Sequence, residues 1–112
     1  QENMKKLLLL SLTALAASAL SVRAADAKAT YEKDCAKCHG ADGKGNTRMG
    51  KKLGAKDYTD PKFQETLKDD KMFKVIKEGL KEGDTTKMKP AEGFTDADIK
   101  ALVAYMRDFK KK

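Results

Sequence analysis

The chain is poor in aromatic residues and in the cysteines and histidines that bind metal ions. Its 112 residues include no tryptophan, two prolines, two cysteines and a single histidine, and only 6% of them are aromatic. A structural zinc site needs four protein ligands, so two cysteines and one histidine leave such a site one ligand short. The length indicates one small domain, and domains of this size often need a staple beyond their own core.

Other absences narrow the fold and the function classes. We find no internal repeat, no low-complexity linker and no segment with a convincing strand pattern, which favours an all-α domain. The chain is 37% charged and carries a net charge of +7. Its basic residues are interleaved with acidic ones, and there is no array of aromatic residues on which bases could stack. Nucleic-acid binding is therefore not expected.

The N-terminal segment has the order of a secretory signal peptide. Met4 is followed by two lysines, residues 7–22 form an apolar run, and small residues surround a cleavage site after Ala24. The run is shorter than the ~20 residues that comfortably span a bilayer, so we expect cleavage and a periplasmic protein. If it were not cleaved, the segment would anchor the protein to the outer face of the inner membrane. We assign residues 1–24 to the signal peptide region, with the natural start at Met4, and residues 25–112 to the mature domain.

The most informative pattern is Cys35-Ala36-Lys37-Cys38-His39, which contains both cysteines and the only histidine. C-x-x-C-H is the attachment sequence of c-type haem, in which two thiols add to the haem vinyl groups and the histidine binds the iron. On a helix, positions i, i+3 and i+4 share one face. Cys35, Cys38 and His39 occupy these positions, so both sulfurs and the imidazole can meet a single porphyrin.

Two other interpretations of this motif remain open. A redox dithiol of the thioredoxin type relies on a lowered thiolate pKa and belongs near a βαβ pattern, for which we find no strands. A zinc site would need a fourth ligand. The export segment and the lone histidine favour haem. A bound haem would also account for the few aromatic residues, because it is a large apolar plate against which side chains can pack.

Three helices and a shorter fourth one are predicted. Their approximate bounds are Lys28 to Cys38, Asp70 to Leu80, Thr95 to the C-terminal lysines and, for the short one, Pro61 to Lys68. Apolar residues at helical spacing mark the second and third helices. Thr95 and Asp60 are expected N-caps, the latter followed by proline at the first helical position. The glycine-rich residues 40–57 and residues 82–94 are predicted to be loops.

A histidine-bound haem iron needs a second axial ligand or an open site, and methionine is the usual partner in cytochromes c. Beyond the leader, the methionines are Met49, Met72, Met88 and Met106. Met72 and Met106 fall on apolar helix stripes and are predicted to fill the core. Met88 lies among polar neighbours in a predicted loop, far along the chain from His39. We predict Met88 as the distal iron ligand, with Met49, another ligand or an open site as alternatives.

With these features the chain resembles the bacterial class I c-type cytochromes, which are small monohaem proteins. Residues 31–40 are similar to the family's first helix and haem motif, and residues 95–107 to its terminal helix. Met88 and Pro90 are similar to its distal methionine loop, although Lys89 separates them. The resemblance covers nearly all of the mature domain. It implies an all-α, small class I cytochrome c-like fold, with three to four helices around one covalently bound haem c and its iron.

The resemblance carries two further expectations about packing. In this family the first and last helices cross through an aromatic pair, which implies a contact between Tyr31 and Tyr105, with Ala27 and Leu102 beside them. Many members also have a proline in the loop after the haem motif, whose carbonyl orients the proximal histidine. Residues 40–58 contain no proline. The partner of the second ring nitrogen of His39 is therefore not predicted.

The function that follows is an exported carrier of one electron between redox partner proteins of a respiratory or photosynthetic-type chain. We expect a monomer and no enzymatic activity. The lysines expected near the haem mouth are Lys37, Lys51, Lys52, Lys87 and Lys89. They could steer the protein toward acidic docking surfaces on its partners, or they could form an ordinary solvated face.

Two alternative functions keep the haem but change its role. An open sixth site would make the domain a haem-based sensor or a peroxidase-like module. A permanent place inside a larger oxidoreductase complex would make it the cytochrome subunit of that complex.

Overall fold

The computed structural model describes residues 26–111, which form five α-helices and one β-hairpin. The signal peptide region assigned above lies outside the described residues. In chain order the elements are α1 over 26–39, α2 Arg48–Leu53, α3 Pro61–Thr66, α4 Asp69–Glu78, β1 Leu80–Glu82, β2 Thr85–Met88 and α5 Asp96–Arg107, followed by a 3₁₀ turn at Asp108–Lys111. The all-α prediction is confirmed. The structure adds two elements that were not predicted, the helix α2 and the hairpin of β1 and β2.

Helix α1 changes its winding immediately before the haem motif. Its stretch Tyr31–Cys35 is π-helical, and the N–H of Ala36 donates to the carbonyl of Tyr31, five residues back. The helix resumes as Ala36–His39 and ends at Gly40, whose φ of +80° is natural for glycine. π-Turns inside α-helices are rare and occur frequently at functional sites.

Helix α5 supplies much of the hydrophobic core. Thr95 forms a capping box with Asp98, in which the Thr95 hydroxyl accepts from the Asp98 N–H and the Asp98 carboxylate accepts from the Thr95 N–H. The buried side chains recur at helical spacing, as predicted: Ile99, Leu102, Val103 and Met106, continued by Phe109 in the 3₁₀ turn. Met72 on α4 is buried with them, so the predicted core role of Met72 and Met106 is confirmed.

Helices α1 and α5 meet through aromatic rings. The ring centroids of Tyr31 and Tyr105 are 5.1 Å apart, which confirms the predicted pair. Phe109 completes a triangle, 5.2 Å from Tyr31 and 5.3 Å from Tyr105. Such tilted and edge-on pairs add about 0.5–1.5 kcal/mol each beyond their buried area. Tyr31 is fully buried, and its hydroxyl donates to the carbonyl of Gly40 at 2.6 Å.

A polar clamp ties α3 and α4 to the end of α5. Gln64 is buried, and its amide nitrogen donates to the carbonyls of Tyr58 and Met106. The guanidinium of Arg107 donates to the backbone carbonyls of Gln64 and Leu67 and also pairs with Asp69. Three of these bonds join side chains to backbone carbonyls that are 40 or more residues away in the sequence, and they connect the three segments through hydrogen bonds.

Two predicted loops contain regular structure. Residues 40–57 include α2, which Thr47 caps at its N-terminus and Gly54 ends in the left-handed conformation. Residues 82–94 include most of a hairpin, in which β1 and β2 pair antiparallel across a tight turn at Gly83, with φ +61°. Both predictions were wrong because these elements are short and lack a repeating apolar pattern. Met88, predicted in a loop, is the last residue of β2 and pairs with Leu80.

Candidate functional site

A cavity of about 670 Å³ collects the predicted site residues from distant parts of the chain. Cys35, Cys38 and His39 line it from α1, and Met88 lines it from β2. The rest of its wall is largely apolar and includes Leu53, Val75, Ile76, Ala91 and Phe94. This volume lies within the usual range of cofactor pockets, about 300–1,000 Å³, and an apolar wall with a few placed polar groups is typical of such sites.

The two cysteines do not pair in a disulfide and are half-buried at the cavity wall. Burial raises the pKa of the Cys35 thiol to about 11, with smaller contributions from Asp34 and Cys38. A redox dithiol of the thioredoxin type requires the opposite shift, because the thiolate is the reactive form. The hairpin also does not restore the βαβ context of that class, since its two strands are antiparallel and adjacent in the chain.

The environment of His39 favours the form of the imidazole that a metal ligand needs. Burial lowers its pKa, which favours the neutral imidazole. One edge of the ring meets Tyr58, with centroids 5.5 Å apart and planes at 79°. Its Nδ1 is buried and has no hydrogen-bond partner among residues 26–111. No carbonyl of the loop after the motif, and no other described group, accepts a hydrogen bond from Nδ1.

The backbone around His39 is held more firmly than its ring. The carbonyl of Cys38 accepts from the Thr47 hydroxyl at 2.9 Å, and the carbonyl of His39 accepts from the Gly45 N–H at 2.7 Å. The carbonyl of Gly40 accepts from the buried Tyr31 hydroxyl. The last carbonyls of a helix have no partners within that helix. At the C-terminal end of α1, three consecutive carbonyls are therefore paired with groups outside the regular helical pattern.

Met88 is half-buried where the hairpin returns to α4. Gly79, directly after α4, comes so close to this strand that an added Cβ would lie 2.6 Å from the Met88 carbonyl. The N–H of Ala91 donates to the carbonyl of Ile76 at 2.9 Å, which ties the following segment to α4. Met49 on α2 also lines the cavity, whereas Met72 and Met106 belong to the core. The structure thus reduces the four methionine candidates to two.

Sequence reasoning did not identify Thr47 and Tyr58 as site residues. Thr47 carries a weak signal, because threonine is a favoured N-cap, but Gly50 in the first turn of α2 obscures the helix that it caps. Tyr58 lies in an irregular segment with no pattern that would place it beside His39.

Similarity to known proteins agrees with this geometry. Residues 22–106 match the family described as cytochrome c oxidase, cbb3-type, subunit III. The chain belongs to the class I c-type cytochromes. Membership decides between the three interpretations of the motif: the cytochrome carries a covalently bound haem c with iron, and its family serves in electron transfer. The cavity, the neutral imidazole and the two thiols fit that group.

Solved structures give the same result. The cytochrome is similar to the KustC0563 c-type cytochrome, with 36% identity, a TM-score of 0.64, and coverage of 73% of this chain and 94% of the other. It is also similar to a tyrosine-to-phenylalanine mutant named Kustc0563, with 34% identity, a TM-score of 0.65, and coverage of 75% and 98%. A search of curated proteins finds no significant match.

Two further structural observations concern residues 26–111 only. No helix in this part of the cytochrome combines the length and apolarity needed to cross a bilayer. Within the same range, no three histidine, cysteine, aspartate or glutamate side chains gather into a group that could hold a metal ion.

Gly50 provides a test of how closely α2 packs under the haem motif. An added Cβ would lie 2.6 Å from the carbonyl of Gly45 and still closer to that of Cys38. Helix propensity alone predicts that Gly50→Ala stabilises the protein by about 1 kcal/mol. We expect instead a loss of about 2 kcal/mol, because the clash is with backbone and overpacking costs about 1–3 kcal/mol. Urea unfolding of the haem-loaded protein measures the difference.

The control is Gly83→Ala in the hairpin turn. That site has a positive φ but no atom within 4 Å of an added Cβ, so only the backbone cost of about 1 kcal/mol is expected. A Gly50→Ala protein that is as stable as wild type, or more so, would show that α2 does not pack against the motif in this way.

Proposed function

We propose that this cytochrome is an exported monohaem carrier that takes one electron from a donor protein and passes it to an acceptor protein. Cys35 and Cys38 hold the haem by thioether bonds, and His39 and Met88 bind the iron. The observation that carries the proposal is the convergence of these four side chains, from positions 35 to 88, on one largely apolar cavity. The compartment proposed is the periplasm, with anchoring to the outer face of the inner membrane as the alternative.

Each chain residue has a definite task in this proposal. Each thiol adds its sulfur and hydrogen across one haem vinyl group, which prevents loss of the haem in an exposed compartment. Neutral His39 donates a ring-nitrogen lone pair to the iron, and Met88 donates a thioether lone pair that raises the reduction potential. If His39 and Met88 both held the iron, the haem would serve electron transfer, and no enzymatic activity is proposed.

When bound, the haem iron supplies the exchange between the ferrous and ferric states. The protein contributes rigidity and a dry environment. Apolar side chains from α2, α4 and α5 line the cavity and exclude water, which disfavours the extra charge of the ferric state. The hydrogen-bonded carbonyls after the haem motif and the close contact at Gly79 hold the two ligand-bearing segments in place.

The first test is the composition of the exported protein. The intact mass is expected to equal residues 25–112 plus one haem, and the band should retain haem stain on a denaturing gel. Replacing both Cys35 and Cys38 by serine should abolish that stain, because the haem then has no covalent bond. A wild-type mass without one haem would refute the central claim. A mass that retains the leader would support the anchored form instead.

A cytochrome subunit of a larger oxidoreductase complex is the second candidate. The matching family's description names an oxidase subunit, which supports this possibility. Native size-exclusion of the same exported material separates the two cases: elution as a small monomer supports the free carrier, and co-elution with other chains supports the subunit.

The choice of Met88 over Met49 can be tested spectroscopically. Ferric haem with a methionine ligand has a far-red charge-transfer band. We expect Met88→Ala to lose this band and to lower the reduction potential, because the thioether is replaced by a weaker or harder ligand. Met49→Ala is the matched control, since it removes the other methionine at the cavity and should keep the band.

The reverse pattern would assign the distal position to Met49. A wild-type protein without the band would favour the open-site sensor or peroxidase-like function.

The charges at the cavity favour acidic partners. Lys37, Lys87 and Lys89 line the cavity, whereas Asp34 and Glu92 are the acidic residues there. Lys51 and Lys52, also predicted near the mouth, are exposed on α2 but do not line the cavity. Lys87 is partly engaged by Glu82, 3.5 Å away. Lys37 and Lys89 are therefore the better candidates for steering an acidic docking surface toward the haem.

Small redox reagents of opposite charge test this surface without a known partner. Oxidation of the ferrous protein by ferricyanide should slow as salt is added, and reduction of the ferric protein by hexaammineruthenium(II) should not. We expect Lys37→Gln and Lys89→Gln each to lower the ferricyanide rate by roughly twofold at low salt. Lys100→Gln, an exposed change on α5 away from the cavity, is the control. If all three variants lower the ferricyanide rate equally, the rate depends on net charge alone, and the lysines at the cavity form an ordinary solvated face.

A further inference from the structure

The orientation of the proximal imidazole is not fixed through its own second nitrogen. Metal-bound histidines almost always donate their other ring N–H to a carboxylate, a carbonyl or water, and this bond sets the ring orientation. Here Nδ1 of His39 is buried without such a partner among residues 26–111. Among residues 26–111 the aromatic ring recorded against the imidazole is that of Tyr58, which meets it edge-on and forms no hydrogen bond with Nδ1.

The backbone on both sides of His39 is fixed by groups from other segments. Cys38 before it and Gly40 after it each accept a side-chain hydroxyl, from Thr47 and Tyr31 respectively. The peptide before His39 is thus held by Thr47, and the peptide after it is held by the Gly45 N–H, which donates to the His39 carbonyl. The direction of the His39 Cα–Cβ bond is therefore determined, and only the two side-chain torsions remain.

Thr47 is the better placed of the two hydroxyl donors. Its oxygen donates to the Cys38 carbonyl at 2.9 Å and accepts from the Gly50 N–H at 2.9 Å. The same hydroxyl therefore caps α2 and fastens α2 to the last turn of α1. The absence of a side chain at Gly50 permits this approach, since a Cβ there would overlap the Cys38 carbonyl.

We propose that Thr47 is a positioning residue for the proximal ligand: its hydroxyl holds the peptide between Cys38 and His39 and so fixes the Cα–Cβ direction of His39, which restricts the planes that the imidazole can adopt when its nitrogen binds the iron. This inference rests on the proposed function, in which His39 binds the haem iron. The backbone clamp thereby does what an imidazole hydrogen bond does in most metal sites.

A purely local role for Thr47 predicts something different. If the hydroxyl only caps α2, its loss should lower stability and leave the haem environment unchanged. Thr95 offers a matched comparison, because it is also a threonine N-cap whose hydroxyl accepts from a backbone N–H three residues on. Thr95 caps α5, and it does not line the haem cavity.

The experiment compares Thr47→Val, Thr47→Ser and Thr95→Val in the haem-loaded ferric protein. The readout is the paramagnetic NMR spectrum, in which the spread of the haem methyl resonances depends on the orientation of the axial ligand planes. Thr47→Val is nearly isosteric and removes the hydroxyl. We expect it to change the methyl spread and to speed exchange of the Gly50 amide by about fivefold to tenfold. Thr47→Ser should restore both, and Thr95→Val should change neither.

The outcomes separate this inference from the proposed function. If the wild-type spectrum lacks hyperfine-shifted ring protons of His39, histidine ligation itself fails. If those protons are present and the methyl spread of Thr47→Val equals that of wild type, Thr47 is a cap only and the inference is overturned. The same holds if Thr95→Val shifts the methyls as much as Thr47→Val does. If the Thr47→Val protein does not take up haem, the methyl spread is compared between Thr47→Ser, which keeps the hydroxyl, and Thr47→Ala, which removes it.

Discussion

The crossing of α1 and α5 at Tyr31 is the contact on which the rest of this cytochrome depends. The Tyr31 ring packs against Tyr105 and Phe109, which joins the two ends of the domain. Its hydroxyl reaches the carbonyl of Gly40 and so holds the end of the haem motif. Burial raises the pKa of Tyr31 further above its usual range, so the hydroxyl remains a donor at any physiological pH. One side chain therefore couples the core to the site.

Glycine allows the two segments that carry the proposed iron ligands to be held through their backbones. Gly50 lets α2 approach the carbonyl of Cys38, and Gly79 lets the strand that carries Met88 approach the end of α4. Backbone contacts of this kind are stiff, because they involve no side-chain torsions. A carrier benefits from such stiffness, since an electron moves most readily when the ligands need not rearrange.

Sequence patterns succeeded where a period or a cap was visible. The buried stripe of α5, its Thr95 cap and the Asp60 cap of α3 were all predicted from residue type and spacing. Sequence patterns did not predict α2 or the hairpin. Helix α2 has six residues, including a glycine that its packing requires, and the hairpin strands are three and four residues long and mostly exposed. Neither element buries a periodic face, so neither leaves a period in the sequence.

By itself the sequence determined the chemistry: two thiols and one imidazole at helical spacing, a short list of methionines, and the buried stripe of the last helix. Those features depend on residue type and local spacing, which the chain carries directly. Only the tertiary structure decided which methionines reach the cavity, which hydroxyls hold the motif, and that His39 Nδ1 lacks a partner among residues 26–111. These depend on contacts between residues distant in sequence, and such contacts exist only once the elements have packed.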